Sequence, residues 1–338
     1  AVPLLCKIAG FLLGDGNLRF DSRTNQGMIA WYGTDRDLQA IRLDLTKLGF
    51  SPSQVWARTR SHHIETQYKA YDFERTEHWV TVNSTAFALL LAYLGAPAGK
   101  KTTQAYGIPP WLFETPRWQK RLFLAAFFGA EMSTPAAVSG HGYNLAAAVV
   151  SMNKVAGYEA SGAAFLEQLA SLLDEFQVKT LPVAQRAEHV TASGQRTIRL
   201  RLVVSAEPEN LIRLWGRVGF EYNRARSQRA ATACVYLKMK NNLIAARQTA
   251  SEQAVALAAE GMSTSAIIAQ LAGETVNARF IQRSIYESRQ TGPRVPVDYE
   301  TYPQYSQTAA EGLGDSGLVW DRIASIEGVP YEGLVYDV

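Results

Sequence analysis

The chain has 338 residues, and its 34 lysines and arginines against 31 aspartates and glutamates leave a formal net charge of only +3. This length allows two or three compact units with a sizeable core, and the charge balance excludes a polycationic tail. Two cysteines are too few for a disulfide framework or a zinc site, and no apolar run reaches the ~18 residues of a membrane span. Since no signal peptide is visible, we expect an intracellular protein, in the cytoplasm or nucleoid of a microbial host.

The first two thirds of the chain predict one order of elements, used twice. Apolar periodicity and turn residues predict helices over 3–13, 35–48 and 85–94, and strands over 17–21, 28–32, 54–60 and 79–83. The second set has helices over 117–129, 161–176 and 208–218, and strands over 144–152, 181–190 and 195–204. This repeat predicts an α+β chain of two copies, at residues 1–115 and 116–225.

The pattern changes beyond about residue 225. A long helix is predicted over 227–247, and two short helices flank a turn at 272–274. Within a helical module over 226–290, residues 262–288 resemble a helix-turn-helix, whose second helix would contact DNA through Asn277, Arg279, Gln282 and Arg283. The alternative is a small helical packing module. Residues 291–338, rich in proline, glycine and tyrosine, form a C-terminal extension.

Two helices of the same shape end in an acid: IAGFLLGDG carries Asp15 and LAAFFGAEM carries Glu131. Small residues allow these helices to pack backbone to backbone, which would bring the two acids together. Like charges at that range are costly unless a cation lies between them. We therefore predict a Mg²⁺ site made by both carboxylates and the backbone carbonyls of Gly14 and Ala130. The alternative is that each acid merely ends a helix.

The two motifs resemble those of the LAGLIDADG homing endonucleases in their single-chain form, and IPPWLFETPRWQKRLFLAAFFGAE is similar to the segment that leads into the second motif. The resemblance implies two pseudo-symmetric αββαββα subdomains that form a DNA-binding β-saddle. It implies that Asp15 and Glu131 are catalytic and bind Mg²⁺ or Mn²⁺, whereas Ca²⁺ would bind without supporting cleavage. A basic catalytic residue near the metals would be Lys100 or Lys101. Gly129 and Met132 depart from the pattern, but neither removes the last acid.

Alternating polar residues on the predicted strands indicate a surface for nucleic acid. Arginine and glutamine suit guanine and adenine edges, and arginine dominates the exposed faces of both copies. The predicted DNA-binding residues of the sheets are Asn17, Arg19, Gln54, Arg58, Arg60, Thr81, Asn83, Arg186, Gln195, Thr197, Arg199 and Arg201. The alternative is an ordinary half-exposed sheet, which alternates in the same way.

These features together predict a monomeric homing endonuclease with no membrane partner. It would make staggered double-strand breaks in a long asymmetric DNA target by divalent-metal-dependent phosphodiester hydrolysis. The alternatives are a cleavage-inactive DNA- or RNA-binding protein of the same fold and an intein fragment with a decayed nuclease. The ending YEGLVYDV resembles the start of the C-terminal splicing block of inteins, so residues 291–338 are interpreted as a splicing-domain remnant.

Overall fold

The computed structural model describes residues 1–65, 70–190, 194–273, 275–287, 292–314, 316–321, 323 and 325–334, and these form an α+β chain with antiparallel sheets. The helices are α1 Val2–Leu13, α2 Asp35–Lys47, α3 Thr85–Tyr93, α4 Pro110–Phe113, α5 Arg117–Glu131, α6 Glu159–Asp174, α7 Pro208–Arg213, α8 Arg224–Ala259, α9 Thr264–Leu271, α10 Ala278–Tyr286 and α11 Tyr302–Thr308. The strands are β1 Gly16–Phe20, β2 Gly27–Gly33, β3 Trp56–Glu65, β4 Ala70–Val82, β5 Ala137–Val138, β6 His141–Leu145, β7 Val149–Val155, β8 Ala184–Val190 and β9 Arg196–Val203.

The first four strands form one antiparallel sheet in the order β1-β2-β4-β3. Its outer hairpin is longer than predicted, because β4 begins at Ala70 and not at Trp79. The residues from Ala70 to Thr76 are exposed on both faces, so they lack the apolar alternation that marks a half-buried strand. The sequence therefore carried no signal for the added length.

The second set of strands is divided differently from the prediction. The strand predicted over 144–152 is wrong as a single element, because residues 146–148 interrupt it and separate β6 from β7. β7, β9 and β8 form a three-stranded antiparallel sheet with β9 in the centre, while β5 and β6 pair separately. The turn predicted at 192–194 falls mainly outside the described residues.

Helices α1 and α5 pack against each other where small residues allow close approach. Gly10 of α1 lies over the backbone carbonyl of Phe123, and Gly14, just after α1, lies against Ala130 of α5. The aromatic neighbours of these residues divide between two cores: Phe11 packs with the first sheet, and Phe127 packs with the second. The close packing of α1 and α5 thus holds the two halves together.

We expect Gly10→Ala to destabilise the protein by about 1–3 kcal/mol, as overpacking does in tight interiors. The added Cβ would meet the Phe123 carbonyl, which belongs to a helix backbone and cannot rotate away. This cost exceeds the gain of roughly 1 kcal/mol that alanine brings to a helix interior. The comparison is Gly216→Ala, where no heavy atom lies within 4 Å of the new Cβ. Urea unfolding of both variants tests this, and equal midpoints would contradict the packing argument.

Helix α8 is 36 residues long and extends well beyond the predicted end at residue 247. Its C-terminal part packs with α9 and α10 around a small core of its own, which includes Ala254, Ile267 and Phe280. The polarity of the solvent-facing side obscured this extension in the sequence. Within the described part of the chain, no helix is both long and apolar enough to cross a membrane.

Candidate functional site

The structure brings Asp15 and Glu131 together at the C-terminal ends of α1 and α5. Glu131 is the last residue of α5, and Asp15 follows the end of α1 by two positions. A Cβ placed on the intervening Gly14 would lie 3.1 Å from the Glu131 Cγ, so the two chain segments touch. Asp15 is exposed, whereas Glu131 is half-buried. A shallow site with two carboxyl groups results.

Loss of water raises the pKa values of both acids, and repulsion by the Asp15 charge adds to the rise at Glu131. Burial is the main cause of the shift at Glu131, and the charge of Asp15 adds to it, so that its pKa rises to about 7. The atoms packed around Asp15 raise its pKa by desolvation even though part of the side chain remains exposed. Lys101 and Arg226 oppose both shifts by attraction. Unfavourable ionisation of this kind is offset when a cation binds.

We expect Glu131→Gln to stabilise the protein, and the gain to grow as the pH rises from about 4.5 to about 7. The Glu131 pKa is raised on folding from 4.5 to about 7, so folding takes up a proton in this window and stability is lost as the pH increases through it. A pKa that differs by one between the folded and unfolded protein corresponds to about 1.4 kcal/mol, so a rise from 4.5 to about 7 gives a gain on the order of 3 kcal/mol at pH 8. Urea unfolding across the pH range tests this. Glu167→Gln, at an exposed position on α6, should give no such slope.

Lys101 lies in the segment that joins the two halves of the chain, and its side chain caps the C-terminal end of α1. It begins a short 3₁₀ turn, Lys101–Thr103. Its ammonium donates hydrogen bonds to the carbonyls of Leu12 at 2.8 Å, Leu13 at 2.9 Å and Gly14. Burial lowers the Lys101 pKa to about 8, although attraction from Glu131 and Asp15 opposes the change. Lys100, the other predicted candidate, is exposed and precedes this turn, and no described hydrogen bond joins its side chain to the carbonyls that end α1.

Arg226 holds the matching position at the end of α5. Its Nη1 donates to the carbonyls of Phe128 at 3.2 Å, Gly129 at 2.6 Å and Ala130 at 3.0 Å. Each acid-ended helix is therefore capped by one cation that comes from a later segment of the chain. Arg226 was not among the predicted site residues, because the sequence marks it only weakly, as one of three basic residues with Arg224 and Lys238 that follow the last helix of the second copy.

A cavity of about 550 Å³ opens beside Asp15. Arg226 and the β4 residues Arg75 and His78 line it together with the acids Asp37 and Glu77. The charge of Arg75 also favours the ionised form of Asp15. The site thus combines two acids with cations on two sides, which suits an anionic group held near a metal ion. Arg75 was missed because β4 was predicted to begin after it.

The predicted nucleic-acid-binding residues of the sheets are mostly at the surface, with one correction. Thr197 is only 5% exposed, so its predicted place in an exposed row is wrong. The other members of the row differ in exposure: Gln195, Arg186 and Arg201 are exposed, and Arg199 is half-buried. In the first sheet, Arg58 and Arg60 both lie within 3.6 Å of a Glu77 carboxylate oxygen, which offsets their charge. Asn17 and Thr81 are half-buried, whereas Arg19, Gln54 and Asn83 are exposed.

The predicted recognition helix has two of its four side chains engaged locally. Asn277 caps α10 by accepting a hydrogen bond from the Phe280 N–H, and Arg283 pairs with Glu287 at 3.1 Å. Arg279 and Gln282 are exposed on the same helix. Contact of this module with nucleic acid stays a prediction, as do the domain boundaries.

Comparison with curated proteins finds similarity along the whole chain. The chain is 31% identical to the tRNA-splicing ligase RtcB of Methanopyrus kandleri over 339 residues and 30% identical to that of Pyrococcus furiosus over 338 residues. In both cases all of this chain is matched, but only 32% and 33% of the relative. The chain therefore spans about a third of the length of these relatives.

Similar segments also occur in proteins with other names. Two from Methanocaldococcus jannaschii are 26% identical to this chain: the replication factor C small subunit, over 70% of the chain and 12% of the relative, and the RNA polymerase subunit Rpo1N, over 71% and 17%. No protein-family description matches the chain. A solved structure, the homing endonuclease I-WcaI with its DNA, aligns with 64% of this chain and 81% of its own at 10% identity, but its TM-score of 0.39 supports no argument.

These names contradict the function predicted from the two motifs. The relatives that match the whole chain are named tRNA-splicing ligases, and not homing endonucleases or inteins. The assignments as a LAGLIDADG homing endonuclease, as a nuclease of intein origin and as a cleavage-inactive relative are therefore corrected. The double-stranded DNA target is corrected with them, because tRNA is the molecule in the relatives' name. Similar acid-ended helices alone do not specify an activity or a substrate.

Proposed function

We propose that this chain carries a divalent-cation site that acts on the phosphodiester backbone of RNA. The observation that carries the proposal is the pairing of Asp15 and Glu131, each at the end of a helix capped by a cation. A metal-dependent phosphoryl transfer would make this chain part of an enzyme. The experiment that tests it measures cation binding and RNA turnover in the same preparation.

The donor atoms of the site fit a hard cation such as Mg²⁺ or Mn²⁺. Mg²⁺ is commonly bound by one or two carboxylates, with phosphate and water supplying the remaining ligands. No group of three or more His, Cys, Asp or Glu suited to a metal occurs among the residues that the structure describes. The carbonyls of Gly14 and Ala130 already accept hydrogen bonds from Lys101 and Arg226, so we assign the protein ligands to the two carboxylates.

The residues around the carboxylates supply orientation and positive charge. A bound divalent cation would polarise the phosphate and lower the pKa of its water. Lys101 and Arg226 hold their charges beside the carboxylates, where negative charge develops as a phosphodiester reacts. Arg75 and Arg226 line the cavity together with the acids Asp15, Asp37 and Glu77, so the two arginines are the groups available to bind a phosphate of an RNA backbone there.

RNA is proposed because the relatives that match the full chain are named for tRNA splicing. Their ligase name does not assign ligation to this segment, since two-thirds of each relative lies outside the match. Similar segments in a replication factor and an RNA polymerase subunit also argue against reading one activity from the names. The proposed activity is phosphoryl transfer at the Asp15–Glu131 site, and the assay shows whether a phosphodiester bond is made or broken.

The test uses labelled single-stranded RNA, nicked RNA duplex and DNA of the same sequence, each with Mg²⁺, Mn²⁺ or Ca²⁺. Metal-dependent change of an RNA substrate, lost in Glu131→Gln, is the expected result. Ca²⁺ should compete for the site without supporting turnover. Turnover confined to DNA would overturn the choice of RNA, and the absence of Mn²⁺ binding by paramagnetic resonance would overturn the site itself.

A further inference from the structure

One charged side chain outside the candidate site is almost completely buried. Lys154 lies on β7, and only 1% of its surface is exposed. Burying an ammonium group is costly unless hydrogen bonds and neighbouring groups compensate for the lost water. A lysine in this place therefore needs partners, and the partners indicate what it does.

All the described contacts of the Lys154 ammonium lead to the segment that carries Lys101. The Nζ donates to the backbone carbonyls of Lys101 and Gln104, both at 2.9 Å. It also lies 3.9 Å from the centre of the Tyr106 ring, a distance typical of a strong cation–π contact. An ammonium has three N–H donors, and this arrangement uses two on carbonyls and directs the group against the ring.

The segment held in this way joins the two halves of the chain. On the side of the first half it is fixed by the Gly99 N–H, which donates to the Leu18 carbonyl of β1 at 2.7 Å. On the side of the second half, Lys154 donates hydrogen bonds to the carbonyls at the start of the 3₁₀ turn, at Lys101, and just after its end, at Gln104. The Lys101 side chain leaves this turn and reaches back to the end of α1. Its backbone and its ammonium are thus fixed by opposite halves.

We propose that Lys154 is a positioning residue, which sets the place of the Lys101 ammonium at the end of α1 by holding the Lys101 and Gln104 carbonyls. The inference rests on the proposed function for the importance of Lys101. It names a role for a residue of β7 that reaches neither acid-ended helix by a described hydrogen bond.

The electrostatic cost of this arrangement supports a specific role. Burial lowers the Lys154 pKa to about 8, and its charge also lowers the pKa of Lys101. A methionine of similar length would fill the same space without the cost of burying a charge. What methionine cannot do is donate to the two carbonyls of the turn.

The test observes the Lys101 ammonium directly by ¹⁵N NMR of lysine side chains. An ammonium with three carbonyl partners exchanges its protons slowly enough to give a signal, which Lys101→Met identifies by its absence. In Lys154→Met we expect the Lys101 signal to be lost, although Lys101 itself is unchanged. An unaltered Lys101 signal in a folded Lys154→Met protein would overturn the inference.

Lys120→Met provides the matched control. Lys120 is also nearly buried, at 8% exposure, and it pairs with Glu175 at 2.8 Å. Its loss should lower stability and leave the Lys101 signal in place, which separates positioning from general destabilisation. If Lys154→Met does not fold, Lys154→Gln, which can still donate to one carbonyl, must at least shift or broaden the Lys101 signal. The measurement needs neither cation nor RNA, so it can fail independently of the proposed function.

Discussion

Asp15→Asn and Glu131→Gln should each weaken divalent-cation binding by roughly a hundredfold or more and abolish metal-dependent turnover. Each change keeps the shape of the side chain and removes one of the two charges that bind the cation. Neither carboxylate has a described substitute, because the nearest carbonyls are already engaged by Lys101 and Arg226. Titration with Mn²⁺, followed by paramagnetic resonance, measures the affinity of each variant.

The stability of Glu131→Gln separates loss of a ligand from loss of the fold. Glu131→Gln removes a half-buried acid with a raised pKa and should be more stable than the parent protein above neutral pH. A variant that is more stable but binds no cation cannot be explained by unfolding. Asp44→Asn is the complementary control. Asp44 is 7% exposed and pairs with Lys7 at 2.8 Å, so its loss should destabilise the protein without changing cation affinity. If Asp15→Asn, Glu131→Gln and Asp44→Asn all bind the cation as tightly as the parent protein, the site is rejected.

Much of the fold follows from local patterns in the sequence. The helices that bury one face, such as α2 and α6, have clear apolar periodicity, and their predicted ends lie within two residues of the observed ones. Elements whose two faces do not differ clearly in polarity were mispredicted. The outer part of β4 is exposed on both sides, and the end of α8 packs only on two short helices. Their lengths depend on tertiary partners that a local window does not contain.

The site shows the same division between local and distant information. Asp15 and Glu131 stood out because each follows an unusual apolar helix with small residues, a signal contained in one short segment. Arg226 and Lys154 gave no such signal, since their roles depend on carbonyls 50 to 98 positions away in the sequence. The activity was mispredicted for a related reason. The motif fixes how two helices meet, whereas the reaction depends on the substrate brought to them.

Lys101→Met should reduce turnover by about a hundredfold or more, whereas its neighbour Lys100→Met should remain close to the parent protein. The Lys101 ammonium donates to the carbonyls that end α1, and methionine leaves these acceptors without their donor. Lys100 is exposed and has no such described contact, so its loss should change stability by no more than about 0.5 kcal/mol. The two variants thus compare adjacent lysines that the sequence alone offered equally as the basic catalytic residue.

The pH dependence of cation binding tells whether Lys101 acts through charge. Its positive charge holds the Glu131 pKa below the value that burial and Asp15 would otherwise produce. Removing it should raise that pKa further, so Lys101→Met should require a higher pH for cation binding than the parent protein, whose midpoint is expected near pH 7. Lys101→Arg, which keeps the charge but not the compact ammonium, should retain the parent midpoint and still lose turnover. If Lys101→Met binds cations with an unshifted midpoint, Lys101 serves only to cap α1 and has no electrostatic role at the carboxylates.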